Sequence, residues 1–323
     1  MSTAINDIPL ESISPLSLMH LSRGEKVKLL QRFRTVGTRN PNVIFFLATD
    51  VISGGGGGVH SIELYDIYEQ VLIAALETGR VDKALMYLDV LERRFGKRSN
   101  RVRHLKGLCF EAEGKIEEAK KVYDVVRKES AVTDYFAVKR LSAILKAEGK
   151  YREAIDILED QEVYEDDEDD EEQPRKYRLL EIHRADVNIY KELSHLYFLS
   201  GSLDKATFYL EETLLSEPNS YLTHARLGEL YYAKKDYPRC AIEYSQSLLY
   251  NSSPNNARAA YGLWQVSYEQ LKLHNGGVVR LDAEKLKQTE ELQEYATELL
   301  HTLYAKSSTL PALEAFLTEK TKK

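Results

Sequence analysis

Ala84, Ala119 and Ala154 lie 35 residues apart, and Ala206 and Ala241 repeat that step after a single gap of 52. Gly79, Gly107, Gly114, Gly149 and Gly201 fall at or beside a companion slot, most of them a few residues ahead of an alanine. Around these markers apolar residues recur three and four apart, which is the period of one helix face. Tyr68, Val71, Leu72 and Ala75 line such a face before Glu77-Thr78-Gly79, and Ala84, Leu85, Leu88 and Leu91 line another after it. A helix–turn–helix unit of this length cannot bury both of its faces alone, so successive units must stack. The chain is therefore restricted to an all-α array in which small residues mark the close approaches between helices.

A period near 34 with small residues at fixed slots is the signature of tetratricopeptide-type helix pairs. The expected fold is a tetratricopeptide-repeat (TPR) helical solenoid, a right-handed superhelix with extra N- and C-terminal helices. Repeat one runs from about Tyr65 to Phe95. Repeat two carries Gly107, Leu108 and Phe110, the turn Glu113-Gly114-Lys115, then Ala119, Tyr123 and Val126. Repeat three has Leu141, Leu145, the same turn at Glu148-Gly149-Lys150, and Ala154, Ile157 and Leu158. Repeat four holds Tyr190, Leu193, Tyr197, Gly201, Ala206 and Leu210; repeat five holds Leu227, Gly228, Tyr231, Cys240 or Ala241, Tyr244 and Leu248. A sixth, partial unit begins at Asn256.

Four domains follow from this phasing. Residues 1–22, rich in Ser and Pro, read as a flexible N-terminus. Residues 23–60 hold two helices and the polyglycine loop Gly54 to Gly58, the second helix opened by Asn40-Pro41 with Asn as cap. Residues 61–272 form the repeat array, and 273–323 supply capping helices, one from about Asp282 to Tyr304 and a short one after Pro311. The glycine run lacks the Gly-Lys-Ser/Thr of a phosphate loop and reads as a linker.

The 52-residue step leaves 17 residues beyond one 35-residue period, and they coincide with the acidic segment Glu162 to Gln173 and Pro174. Adjacent carboxylates repel and cannot bury area, so 159–174 is expected to be a solvated, disordered insertion. It lacks the glycine and alternation of a calcium loop; an electrostatic lure for a basic segment is the functional alternative. This segment also sets the sign of the net charge, −7: without its eleven acids the chain would carry about +4. The acidic balance therefore says little about partners, and nothing points to nucleic acid.

Cys109 and Cys240 fall in helical, apolar registers and read as buried free thiols of a reducing compartment. No secretory signal is visible in Met1 to His20, and the longest apolar stretch, Val43 to Ile52, is too short to span a bilayer. The expectation is a soluble chain that meets membranes only through partners. Asn251-Ser252-Ser253 matches a glycosylation sequon that such a chain would not present. None of the eight histidines pairs at metal-ligand spacing, and neither cysteine has a Cys or His close by. No nucleophile elbow or dinucleotide fingerprint is present. The chain reads as a non-enzyme with no cofactor and no metal.

Two surfaces remain as candidates. Arg93, Arg94, Lys97, Arg98, Arg101 and Arg103 crowd the turn between repeats one and two. They are either a solvated loop near a helix C-terminus or a contact for an acidic segment or anionic lipid. In this repeat type the first helix of each pair lines a groove. The expected lining positions are Glu69, Ile73, His104, Leu108 and Lys139, with Lys191, His195, Phe198, Glu229 and Tyr232 further along. Their mixture of aromatic, aliphatic and charged groups suits a peptide. Co-chaperone versions of the repeat grip a C-terminal carboxylate with lysines and asparagines. Here Lys139 and Lys191 hold lysine-like slots, but Ala143 and His195 stand at the asparagine-like ones. A soluble co-chaperone adaptor binding chaperone C-terminal peptides is thus the alternative reading.

The stretch IYEQVLIAALETGRVDKAL, from Ile67 to Leu85, resembles the family of subunit 2 of the endoplasmic reticulum (ER) membrane protein complex. RRFGKRSNRVRHLKGLCFEAEGKIEEAKKVYD and ELSHLYFLSGSLDKATFYLEETLLSEPNSYLTHARLGELYY are similar to it too, so the resemblance spans roughly residues 60–270. The polyglycine loop, the acidic insertion and the long C-terminal helix depart from that pattern. The resemblance implies a non-catalytic scaffold at the cytoplasmic face of the ER membrane. It also implies contact with membrane subunits 3 and 5 and soluble subunit 8 or 9 of an insertase for tail-anchored and multipass proteins.

Overall fold

The repeated turn is closed by one backbone device. After the first helix of repeat one, the amide of Arg80 donates to the carbonyl of Ala75 at 2.8 Å and that of Gly79 to Leu76 at 3.1 Å. The same pair of bonds joins Lys115 to Phe110, Ser202 to Tyr197 and Asp236 to Tyr231. This helix ending needs one residue in the left-handed region, where glycine meets no Cβ penalty. Gly79, Gly114, Gly149 and Gly201 supply it, with φ between 73° and 82°. In repeat five Lys235 does so at φ 61°, and among the described residues it is the one non-glycine residue with positive φ.

The computed structural model describes residues 10, 13–54, 60–130, 135–159, 162–165, 175–178 and 186–321. They fall into two compact units, Met1–Glu148 and Gly149–Lys323. The first unit holds α1 (Arg23–Val36), α2 (Pro41–Ser53), α3 (Ser61–Glu77), α4 (Val81–Phe95), α5 (Asn100–Ala112), α6 (Ile116–Ser130) and α7 (Phe136–Ala147). Each helix packs on the next, and α3 also meets α5, as stacked pairs require. Ser22 caps α1 in a reciprocal box with Glu25. The guanidinium of Arg23 donates to the carbonyls of Val51 and Gly54, at 2.6 and 3.1 Å, and so closes the C-terminal end of α2. Lys26, buried, reaches Asp50 at 2.8 Å and locks the same two helices.

The second unit holds α8 (Tyr151–Glu159), a two-stranded sheet of β1 (Glu162–Glu165) and β2 (Arg175–Arg178), and seven further helices. These are α9 (Val187–Leu199), α10 (Leu203–Ser216), α11 (Tyr221–Ala233), α12 (Tyr237–Tyr250), α13 (Ala257–Asn275), α14 (Ala283–Tyr304) and α15 (Leu310–Thr321). They stack in order, with α11 also touching α13. Asp282 caps α14 by accepting from the Lys285 amide at 2.8 Å.

Several expectations need correction. The segment 1–22 is not wholly loose: Leu10 and Leu18 are buried in the core beneath α1 and α2, and Pro15–Leu18 forms a 3-10 turn. Their apolar side chains give that stretch a core to join. The ends of the acidic insertion are not irregular either. β1 and β2 pair antiparallel, with Glu162 in register with Arg178 and Glu165 with Arg175. Residues 166–174 and the glycines Gly55 to Gly58 lie outside the described residues.

The alanine slot shifts in repeat five. Ser194 donates to the carbonyl of Ala206 at 2.7 Å, and one repeat later the thiol of Cys240 meets the carbonyl of Gly228 at 3.1 Å. Cys240 also follows its left-handed residue by the interval that separates Gly201 from Ala206. Cys240, wholly buried, therefore occupies the slot that spacing assigned to Ala241. Ala84, Ala119, Ala154 and Ala206 are likewise fully buried. Gly107 has another duty from the turn glycines. It lies mid-helix, and a Cβ there would sit 2.3 Å from the ring of Tyr123.

Candidate functional site

In the second unit α9, α11 and α13 bring cations to one opening. A cleft of about 430 Å³ is lined by Lys191, His195, Arg226 and Arg258, with Leu210 and Leu222 as apolar walls. The hydroxyls of Ser194, Ser220 and Thr223 complete it, and no carboxylate belongs to the lining. Leu222 is 63% exposed.

Acidic residues stand just outside and hold the cations in place. Lys191 reaches Glu217 at 2.7 Å. Glu229 takes a bond from Arg226 at 2.8 Å through one oxygen and from Arg258 through the other. Arg226 also lies over the ring of Phe198, 4.7 Å from its centroid. One carboxylate thus holds two guanidinium groups at the rim, each with N–H donors left over.

Two of the expected groove residues, Lys191 and His195, line this cleft; two more, Phe198 and Glu229, stand outside it and touch it only through Arg226 and Arg258. Tyr232 packs edge-on against Tyr237 at 5.7 Å, and its hydroxyl accepts from Gln265 at 3.3 Å. In the first unit Glu69 is held by Arg101, which also reaches Asp66 at 2.8 Å. A groove candidate and a basic-patch candidate are therefore partners of each other. Ile73 is 37% exposed, and Leu108 packs at the edge of the core of α3 to α5. The rings of His104 and Phe136 lie 4.5 Å apart. Lys139 sits over the Tyr135 ring at 5.1 Å.

Arg226 and Arg258 were not among the expected residues. The corrected register shows why Arg226 was missed: with Cys240 in the slot of Ala206 the step is 34, which aligns Lys191 with Ala225 and leaves Arg226 one position further on. Arg258 follows a turn after α12 that has its own length.

The basic cluster is largely engaged with the chain itself. Arg93 pairs with Asp89 at 2.5 Å, Arg94 lies over Tyr65, and Arg103 pairs with Glu129. Lys97 and Arg98 are exposed. Both cysteines are free and buried, and burial pushes each thiol up to about 12. Among the described residues no helix is long and apolar enough to cross a membrane, and no cluster of His, Cys, Asp and Glu could hold a metal ion.

No family model matches the chain. It is 33% identical over 205 residues to ER membrane protein complex subunit 2 of Xenopus tropicalis, covering 62% of each protein. It is 30% identical over 245 residues to ER membrane protein complex subunit 2-B of Xenopus laevis, covering 75% of this chain and 73% of that one. The C-terminal part of a TPR repeat-containing protein from Cytophaga hutchinsonii matches in fold, with a TM-score of 0.54 at 11% identity over 90% of this chain and 98% of that one. The chain thus spans about three fifths of the length of the first of these relatives and nearly three quarters of the second. With the helix pairs, their left-handed turns and these relatives together, the chain belongs to the family of subunit 2 of the ER membrane protein complex.

Proposed function

We propose that this chain is a non-catalytic TPR scaffold of the ER membrane protein complex. It sits peripherally on the cytoplasmic side and organises the other subunits of an insertase for tail-anchored and multipass membrane proteins. The observation that carries the reading is the cationic cleft of α9, α11 and α13 in a chain of this family. Helix pairs hold Lys191, His195, Arg226 and Arg258 at one opening, with Phe198 and Glu229 behind the arginines, which suits a partner's peptide segment better than a small-molecule reaction. The partners proposed are membrane subunits 3 and 5 and soluble subunit 8 or 9. Glu69, Ile73, His104, Leu108 and Lys139 of the first unit, with Tyr232 of the second, are proposed as further contacts.

The test is affinity purification of the full chain in mild detergent, with identification of the bound proteins. Recovery of integral membrane proteins, lost when Lys191 and His195 are both changed to alanine, is the expected result. Recovery of chaperones alone, through their C-terminal peptides, would replace the scaffold with a co-chaperone adaptor.

A further inference from the structure

We infer that the cleft of α9, α11 and α13 binds an acidic peptide segment, and that Glu229 is the internal carboxylate this segment displaces. The inference rests on the partner-binding reading above and names the chemistry of the partner.

Charge complementarity points to the occupant. Lys191, His195, Arg226 and Arg258 line the cleft, and the lining holds no Asp or Glu. Two guanidinium groups already accept one carboxylate: Arg226 and Arg258 hold the two oxygens of Glu229. Their spacing is therefore proven for a carboxylate by the chain's own side chain. The Arg258 side chain is 69% exposed, so it can turn to an incoming acid, and Glu229, 22% exposed, keeps part of its contact with solvent when it does. Leu210 and Leu222 wall the cleft and favour a ligand that places an aliphatic side chain next to its acid. A peptide of alternating acidic and aliphatic residues meets both needs, whereas a bare phosphate leaves the apolar walls uncovered.

Displacement makes a prediction of opposite signs. Removing the arginines removes the receptor. Neutralising Glu229 removes the competitor and leaves the arginines for the ligand. If Glu229 serves instead to position the arginines, neutralising it loosens them and weakens binding.

The probe is fluorescein-labelled Leu-Glu-Leu-Glu-Leu-amide, titrated with the full chain by fluorescence anisotropy at low salt. The same peptide with Gln for Glu is the control. The acidic peptide is expected to bind about tenfold tighter than the control. Arg226→Gln with Arg258→Gln should remove that preference, while Glu229→Gln should tighten the acidic peptide about threefold. Should the double arginine variant fail to fold by circular dichroism, Lys191→Gln, which leaves the Glu229 pairs intact, is expected to weaken the peptide about threefold. Equal binding of the two peptides, or weaker binding by Glu229→Gln, overturns the inference. Displacement of the peptide by millimolar inorganic phosphate, or stronger capture by phosphatidylserine vesicles through the same arginines, overturns it in favour of a phosphate or membrane ligand. Loss of the peptide preference with intact recovery of membrane partners removes this inference alone and leaves the scaffold standing.

Discussion

Gly262 leaves to Tyr244 the space that any larger residue would fill: a Cβ on α13 would lie 2.3 Å from the ring carbon Cζ of the tyrosine on α12. Gly228 on α11 borders the same ring, 2.8 Å from where its own Cβ would stand. The ring, 5% exposed, is thus bounded by glycines of the two helices that pack on α12. Gly262→Ala should cost about 1–3 kcal/mol by overpacking. Gly24→Ala, in α1 where nothing lies within 4 Å, should gain about 0.5–1 kcal/mol from helix propensity. Urea denaturation of the two variants measures the contrast. Equal shifts would mean that the tyrosine ring does not fill the gap.

Lys235 occupies a backbone conformation that four glycines occupy in the other repeats. An L-residue there bears about 1–2 kcal/mol of steric cost, partly offset by the entropy that glycine loses on folding. Lys235→Gly is therefore expected to stabilise the chain by up to about 1 kcal/mol, seen as a rise in the denaturation midpoint.

Glu159, at the end of α8, accepts hydroxyl bonds from both Tyr197 and Tyr209, whose rings stack 5.5 Å apart and nearly parallel. Lys205 donates to the Tyr197 oxygen at 3.1 Å. One carboxylate therefore ties α8 to both helices of the following pair. Glu159→Leu removes the shared acceptor of two part-buried hydroxyls and should destabilise by about 1–3 kcal/mol. Glu159→Gln, which keeps an acceptor oxygen, should cost less. Near-ultraviolet circular dichroism of the stacked tyrosines, followed through denaturation, separates the two variants.

Cys109 and Cys240 are held protonated by burial first and by nearby carboxylates second, with folded values of about 12. Neither should react with a disulfide-exchange reagent at pH 8 in the folded chain, and both should react once it is unfolded. The linkage has a definite sign. The unfolded thiols ionise near pH 8.5 while the folded ones do not, so the unfolded state binds fewer protons above that pH and stability falls. The contribution is whole below about pH 8.5 and is lost as pH rises toward 12. Cys240→Ala, isosteric with the other repeats at that slot, should flatten the decline.

Much of this molecule is written in its spacing. The alanine period alone sets the helix pairs and the phase of their turns, because a fixed 3.6-residue pitch and a small residue at each close approach leave few other packings. Ala84, Ala119, Ala154 and Ala206 are all fully buried for that reason. Contact across the chain was not written there. That Cys240 rather than Ala241 enters the slot is decided by Lys235 accepting a left-handed backbone. That Arg101 spends itself on Asp66 and Glu69, and that Arg258 joins Arg226 on Glu229, depends on side chains some 30 residues apart meeting only after the helices have stacked. Periodicity fixes which face a residue occupies; only the packed structure fixes which charge it finds there.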